Sequence, residues 1–143
     1  MPKVEDVAQY ILERHGEMSA IKLQKLVYYA QAWSLVWREL PLFPEKIEAW
    51  ANGPVAPALF KRHEGLFRLG PEAAIGDSSS LDEDCRDVVD KILEAYGGKS
   101  AQWLVELTHL EEPWRQARGH ALPGHKCDAE ISHAAMAEYY SGL

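Results

Sequence analysis

The chain has 143 residues, 47% of them hydrophobic and 26% charged, with a formal net charge of −7. Such a composition excludes disorder, and the length fits one domain over residues 1–143 that buries a core without metals or disulfides. The acidic balance argues against a nucleic-acid binder, because phosphate needs a cationic field, and it suits a basic protein partner.

Val4, Val7, Ala8, Ile11 and Leu12 recur at helical spacing and predict a first helix of about three turns, closed by Gly16. Ser19 caps a second helix running to about Arg38. Its Leu23, Leu26, Val27, Ala30, Trp33 and Trp37 make one apolar stripe, widened by Ile21, Tyr28 and Leu35. A helix this apolar is expected at the centre, packed on more than one side. Lys22, Gln24, Lys25, Gln31 and Arg38 remain as a narrow polar face, with Lys22 and Lys25 read as solvated. Of Tyr28 and Tyr29, one ring is expected in the core and one at its edge.

Pro41 and Pro44 then break helicity and give an extended crossing. Ile47 to Ala51 reads as a short strand, and Asn52-Gly53 as a turn whose glycine takes a backbone angle closed to other residues. Pro54 and Pro57 are expected to forbid a regular continuation, and Pro57 to open a short helix ending at His63. Gly70 to Ser80 is a loop. Ser80 and Glu83 form a capping-box pattern ahead of an amphipathic helix through Leu81, Cys85, Val88, Val89, Ile92 and Tyr96, ended by Gly97-Gly98. Ser100 caps a helix to about Leu110, Pro113 opens a short piece containing Trp114, and Gly119 to Asp128 is irregular. Ser132 caps a last helix to Tyr140. The fold class is therefore mainly α, a compact helical domain around a central hydrophobic helix, with a small short-stranded β element.

Chemistry-bearing patterns are sparse. GxSxG, GxGxxG, HExxH and the phosphate-binding P-loop are all absent. His109, His120, His125, Cys127 and His133 match no zinc spacing, so neither a metal nor any other cofactor is expected, and a small His/Cys metal-dependent enzyme is the rival reading. A transcriptional regulator is a second rival, but no basic recognition helix stands out. Glu111-Glu112 reads as a solvated turn ahead of Pro113. Cys85 falls on an apolar helix face as a reduced thiol, and nothing demands an oxidising compartment. The first residues are charged and no run of about 18 apolar residues occurs, so the cytoplasm is the expected compartment and a membrane is not a partner.

Three segments stand out together. They are Leu23-Gln24-Lys25-Leu26-Val27-Tyr28-Tyr29-Ala30-Gln31, Pro41-Leu42-Phe43, and Ala49-Trp50 with Gly53-Pro54-Val55. Thr108-His109 with Pro113-Trp114, and Ile131-Ser132 with Tyr139-Tyr140, follow in order. The ordered set resembles the Panacea domain family of SocA-like antitoxins and phage-associated proteins. Ser34, Phe60 and Arg38-Glu39-Leu40 depart from the family pattern, the last replacing a more glycine-like turn.

The resemblance implies no enzyme but a partner-binding protein. It would neutralise a cognate toxin encoded nearby, either by complex formation alone or by delivering the toxin to a protease. Trp50, Gly53, Pro54 and Val55 are the first candidates for the partner surface, as a wide ring beside a rigid turn. The alternative for Trp50 is a core ring stacked on the long helix.

Overall fold

The computed structural model describes Met1–Leu143. Seven helices and five short strands follow the chain: α1 (Val4–His15), β1 (Met18–Ser19), α2 (Ala20–Trp37), β2 (Ile47–Trp50), β3 (Gly53–Val55), α3 (Pro57–His63), β4 (Arg68–Leu69), α4 (Glu83–Tyr96), α5 (Ala101–Leu110), α6 (Glu112–Arg118), β5 (Glu130–Ile131) and α7 (His133–Ser141). The class is mainly α, as the periodicity predicts.

Three serines cap as the sequence suggests. Ser19 accepts from the Lys22 amide, Ser100 from Trp103 and Ser132 from Ala135. The cap of α4 is different: Asp82, not Ser80, accepts from the Cys85 amide at 2.9 Å. Ser80 instead ends a 3₁₀ turn (Ser78–Ser80) capped by Asp77. The 70–80 loop is also less free than its composition suggests. Gln9 on α1 donates to Pro71 O and accepts from the Ile75 amide, while Asp6 accepts from the Asp77 amide.

α2 is the axis of the molecule. It packs against α1, α4, α5, α7 and β3, and Leu23, Leu26, Val27 and Ala30 are fully buried. Trp37 at its far end is 47% exposed, so the apolar stripe runs out into solvent there. The turn after α2 keeps a glycine-like backbone despite the departure from the family pattern: Glu39 sits at φ 58°, an angle glycine adopts more cheaply. Ser34 steadies it by donating to Leu40 O at 2.8 Å.

Both Tyr28 and Tyr29 lie in the core, correcting the expectation of one edge ring. Their hydroxyls belong to a buried network centred on a carboxylate. Glu111, read from sequence as solvated, is only 6% exposed and accepts from Tyr29 at 2.6 Å and Tyr140 at 2.8 Å. The Tyr28 and Tyr140 hydroxyls stand 3.0 Å apart, and the rings meet edge to face. Burial raises the Glu111 pKa, partly offset by the two tyrosine donors.

The β element is larger than one strand. β2 lies between β3 and β5, antiparallel to both, with Ala49 opposite Pro54 and Ile47 opposite Ile131. Pro54 does not prevent pairing, because β3 is an edge strand and its missing N–H is not required there. A second, two-residue pairing joins β1 to β4.

Candidate functional site

The polar face of α2 turns inward. Lys25 is 1% exposed, Gln24 3% and Gln31 0%, so Lys25 is not the solvated residue its spacing suggests. Lys22 is half-buried and donates to Gly97 O at 2.7 Å. The buried three hold backbone of the Pro41–Pro44 crossing and of the segment from Pro54 to Ala56.

Gln31 holds the Pro41–Pro44 crossing. Its carbonyl accepts from the Leu42 amide at 2.7 Å and from Phe43 at 3.3 Å, and its amide donates to Phe43 O at 2.9 Å. Gln24 does the same one turn below Tyr28. It accepts from the Ala56 amide at 2.9 Å, donates to Ala56 O at 3.3 Å, and donates to His63 Nε2 at 3.0 Å. That last bond needs a neutral imidazole, consistent with burial lowering the His63 pKa.

Lys25 supports the β2–β3 turn from beneath. Its Nζ donates to Pro54 O at 3.0 Å, and no carboxylate pairs with it. Burial pulls its pKa down to about 7. Gly53 lies directly over this side chain at φ 110°, and a Cβ there would stand 2.6 Å from Lys25 Cε and 2.9 Å from Thr108 Oγ1. Glycine is therefore required twice, once by conformation and once by space.

Above this support opens a cleft of about 590 Å³ between the start of α2, the β2–β3 turn, α3 and the segment before β5. The four residues singled out from sequence divide here. Trp50 and Val55 line the cleft, whereas Gly53 and Pro54 are buried in the turn behind it. Trp50 is half-buried, neither a core ring nor a free one. Its indole donates to Glu48 Oε1 at 2.8 Å, and its ring meets Phe60 edge to face at 5.1 Å. Ile21 and Leu66 add exposed apolar surface at the rim.

The rear of the cleft is braced by α6. Trp114 donates its indole N–H to Trp50 O at 2.8 Å and stacks on His109 at 4.0 Å. Arg118 donates to Ala49 O at 3.0 Å, Leu122 O at 3.0 Å and His125 O at 2.7 Å. It therefore ties the irregular 119–128 segment to β2. Sequence reasoning missed these braces, because an arginine bonded to carbonyls up to 69 residues away leaves no local spacing. His109 Nε2 is buried without a partner. No three His, Cys, Asp or Glu side chains converge to hold a metal ion. Cys85 and Cys127 are both free thiols. No helix is long and apolar enough to cross a membrane.

The sequence model of the family described as "Antitoxin SocA-like, Panacea domain" matches residues 23–115, from the first buried leucine of α2 into α6. The protein "Antitoxin SocA" of Caulobacter vibrioides is 28% identical over 127 residues, covering 76% of this chain and 66% of that protein. The chain thus spans just under two thirds of the length of that relative. No solved structure matches. The matched residues include the α2 clamps, the crossing, the β2–β3 turn and its α6 brace, and the chain belongs to the SocA-like antitoxin family with its Panacea domain.

Proposed function

We propose that this chain is an antitoxin that acts without catalysis, binding a toxin protein encoded beside it and neutralising it as a complex. Family membership supports the antitoxin class. The cleft beside Trp50 carries the choice of surface, because it is apolar-walled, open, and built on a turn held from below by Lys25 and from behind by Trp114. A ring fixed in place before binding gives up little freedom on contact, which is how a few residues come to dominate an interface. Residues 1–143 act as one unit in this reading, since β5, which lies beyond the matched residues 23–115, joins the same sheet as β2 within them. Delivery of the toxin to a protease would use the same first contact and differ only in the fate of the toxin.

The test is co-expression with the adjacent gene product, scored by growth and by co-purification. Wild type is expected to restore growth and to co-purify. Trp50→Ala is expected to lose both while its circular dichroism stays helical. A folded Trp50→Ala that rescues fully places the partner elsewhere, and a wild type that neither binds nor protects ends the antitoxin reading. Toxin half-life in the rescued cells separates neutralisation by complex from proteolytic delivery.

A further inference from the structure

The chemistry of the cleft says which kind of segment it accepts, given that a toxin binds there as proposed above. Its walls are apolar where they are broad, with Trp50 and Phe60 on one side and Ile21, Val55 and Leu66 around the opening. Three carboxylates line the same space from three separate elements: Glu48 on β2, Glu64 just after α3, and Asp128 just before β5. The basic groups of the lining are Lys25, Lys126 and His63.

Of these three, only Lys126 is exposed. Lys25 is buried against Pro54 O, with its pKa near 7, and His63 accepts a hydrogen bond from Gln24 and so is neutral. Lys46 pairs with Glu48 at 3.1 Å, but it is 59% exposed, and a pair that open is weak. The cleft therefore carries a negative excess, in a molecule whose net charge is −7.

We propose that the partner segment occupying this cleft is apolar and basic, with an aliphatic or aromatic side chain seated against Trp50 and Phe60 and a neighbouring lysine or arginine facing Glu48, Glu64 and Asp128. An acidic segment meets like charge from three directions. A purely apolar one partly desolvates Glu64 and Asp128 without pairing them, which costs affinity. The volume suits this occupant, since a cleft of a few hundred Å³ takes two or three side chains and not a folded element.

The probe is a set of capped tetrapeptides with a common leucine frame: Leu-Arg-Leu-Arg, Leu-Gln-Leu-Gln and Leu-Glu-Leu-Glu. Each is titrated into ¹⁵N-labelled full-length protein. The Trp50 indole N–H is expected to shift most with the arginine peptide, which binds about fivefold more tightly than the glutamine peptide, and the gap should narrow at about 0.5 M salt. The Glu48→Gln and Asp128→Asn double variant keeps the Trp50 acceptor and is expected to lose that fivefold preference while still shifting Trp50. Equal binding of the glutamate peptide, or a Trp50 resonance that no peptide moves, overturns the inference. Growth rescue is read separately: a wild type that rescues while its cleft ignores the arginine peptide overturns this assignment and leaves the antitoxin reading intact.

Discussion

Two buried clamps on one helix face differ in how completely they are satisfied. At the Pro41–Pro44 crossing, the Gln31 amide uses both ends: two backbone amides come in and one carbonyl is met. At the β2–β3 turn, Gln24 is matched in the same way, but its neighbour Lys25 brings an ionisable amine into the core for a single carbonyl. The first clamp packs against Leu42 and Phe43, both fully buried. The second lies beside an open cleft. The difference teaches where to look for function. A neutral amide suffices for a purely structural clamp, whereas an ionisable group kept in a costly place is a reason to look for function at that turn.

Six substitutions, one of them a control, break or sharpen this comparison. Leu26→Ala removes packing on which both clamps stand. Leu26 is fully buried, so the expected loss is about 2–5 kcal/mol in urea melts. A wild-type midpoint would show that α2 is not the axis.

Gly53→Val acts on the open clamp alone. The new Cβ meets Lys25 and Thr108, and φ 110° is closed to valine, so a loss of about 3 kcal/mol or more is expected, with toxin rescue falling alongside. Gly16→Ala is the control. Its φ is 97°, but nothing lies within 4 Å of a Cβ there, so it isolates the backbone cost at about 1–3 kcal/mol.

Gln31→Ala and Gln24→Ala should each cost about 1–3 kcal/mol, since each strands buried backbone groups. Only Gln24→Ala should also weaken toxin binding when measured well below its melting temperature. Equal effects on binding would erase the distinction between the clamps.

Lys25→Met has the smallest effect at high pH and the most specific signature. The folded pKa of about 7 lies below the unfolded value of 10.5, so the folded chain sheds a proton that the unfolded chain keeps. Wild-type stability should therefore rise between pH 7 and 9, with a slope of up to about 1.4 kcal/mol per pH unit, and stay flat for this group below pH 7. The methionine variant should lose that slope. An identical slope in both proteins would show that Lys25 is not the group responsible.

Much of the frame is legible in the sequence. Ser19, Ser100 and Ser132 announce helix starts because a cap is settled within three residues, and Gly53 announces its turn because few other residues take its angle. What escapes is whatever depends on a distant partner. Gln24 looks like any polar residue on a helix, and its target, Ala56, lies 32 residues away. Glu111 looks solvated beside Glu112 until Tyr29 and Tyr140 arrive from 82 and 29 residues away. Ser80 lost its cap to Asp82 because two capping residues stood two positions apart, and a 3₁₀ turn claimed the first. In the candidate site, the sequence singled out the turn but could not tell its lining from its foundation: Trp50 and Val55 face the cleft, while Gly53 and Pro54 hold it up.

The Tyr28–Tyr140 contact joins residues 112 apart. At a synthesis rate of roughly 5–20 residues per second, α2 leaves the ribosome some 6–22 seconds before the ring that covers it is made. During that interval an almost wholly apolar helix is open to chaperones and proteases. Asp128 and β5 arrive in the same late window, so the cleft is finished when the core is. Nascent chains stalled before residue 128 should therefore be protease-sensitive and unable to hold toxin, and the supply of active protein would follow its rate of completion as closely as its rate of initiation.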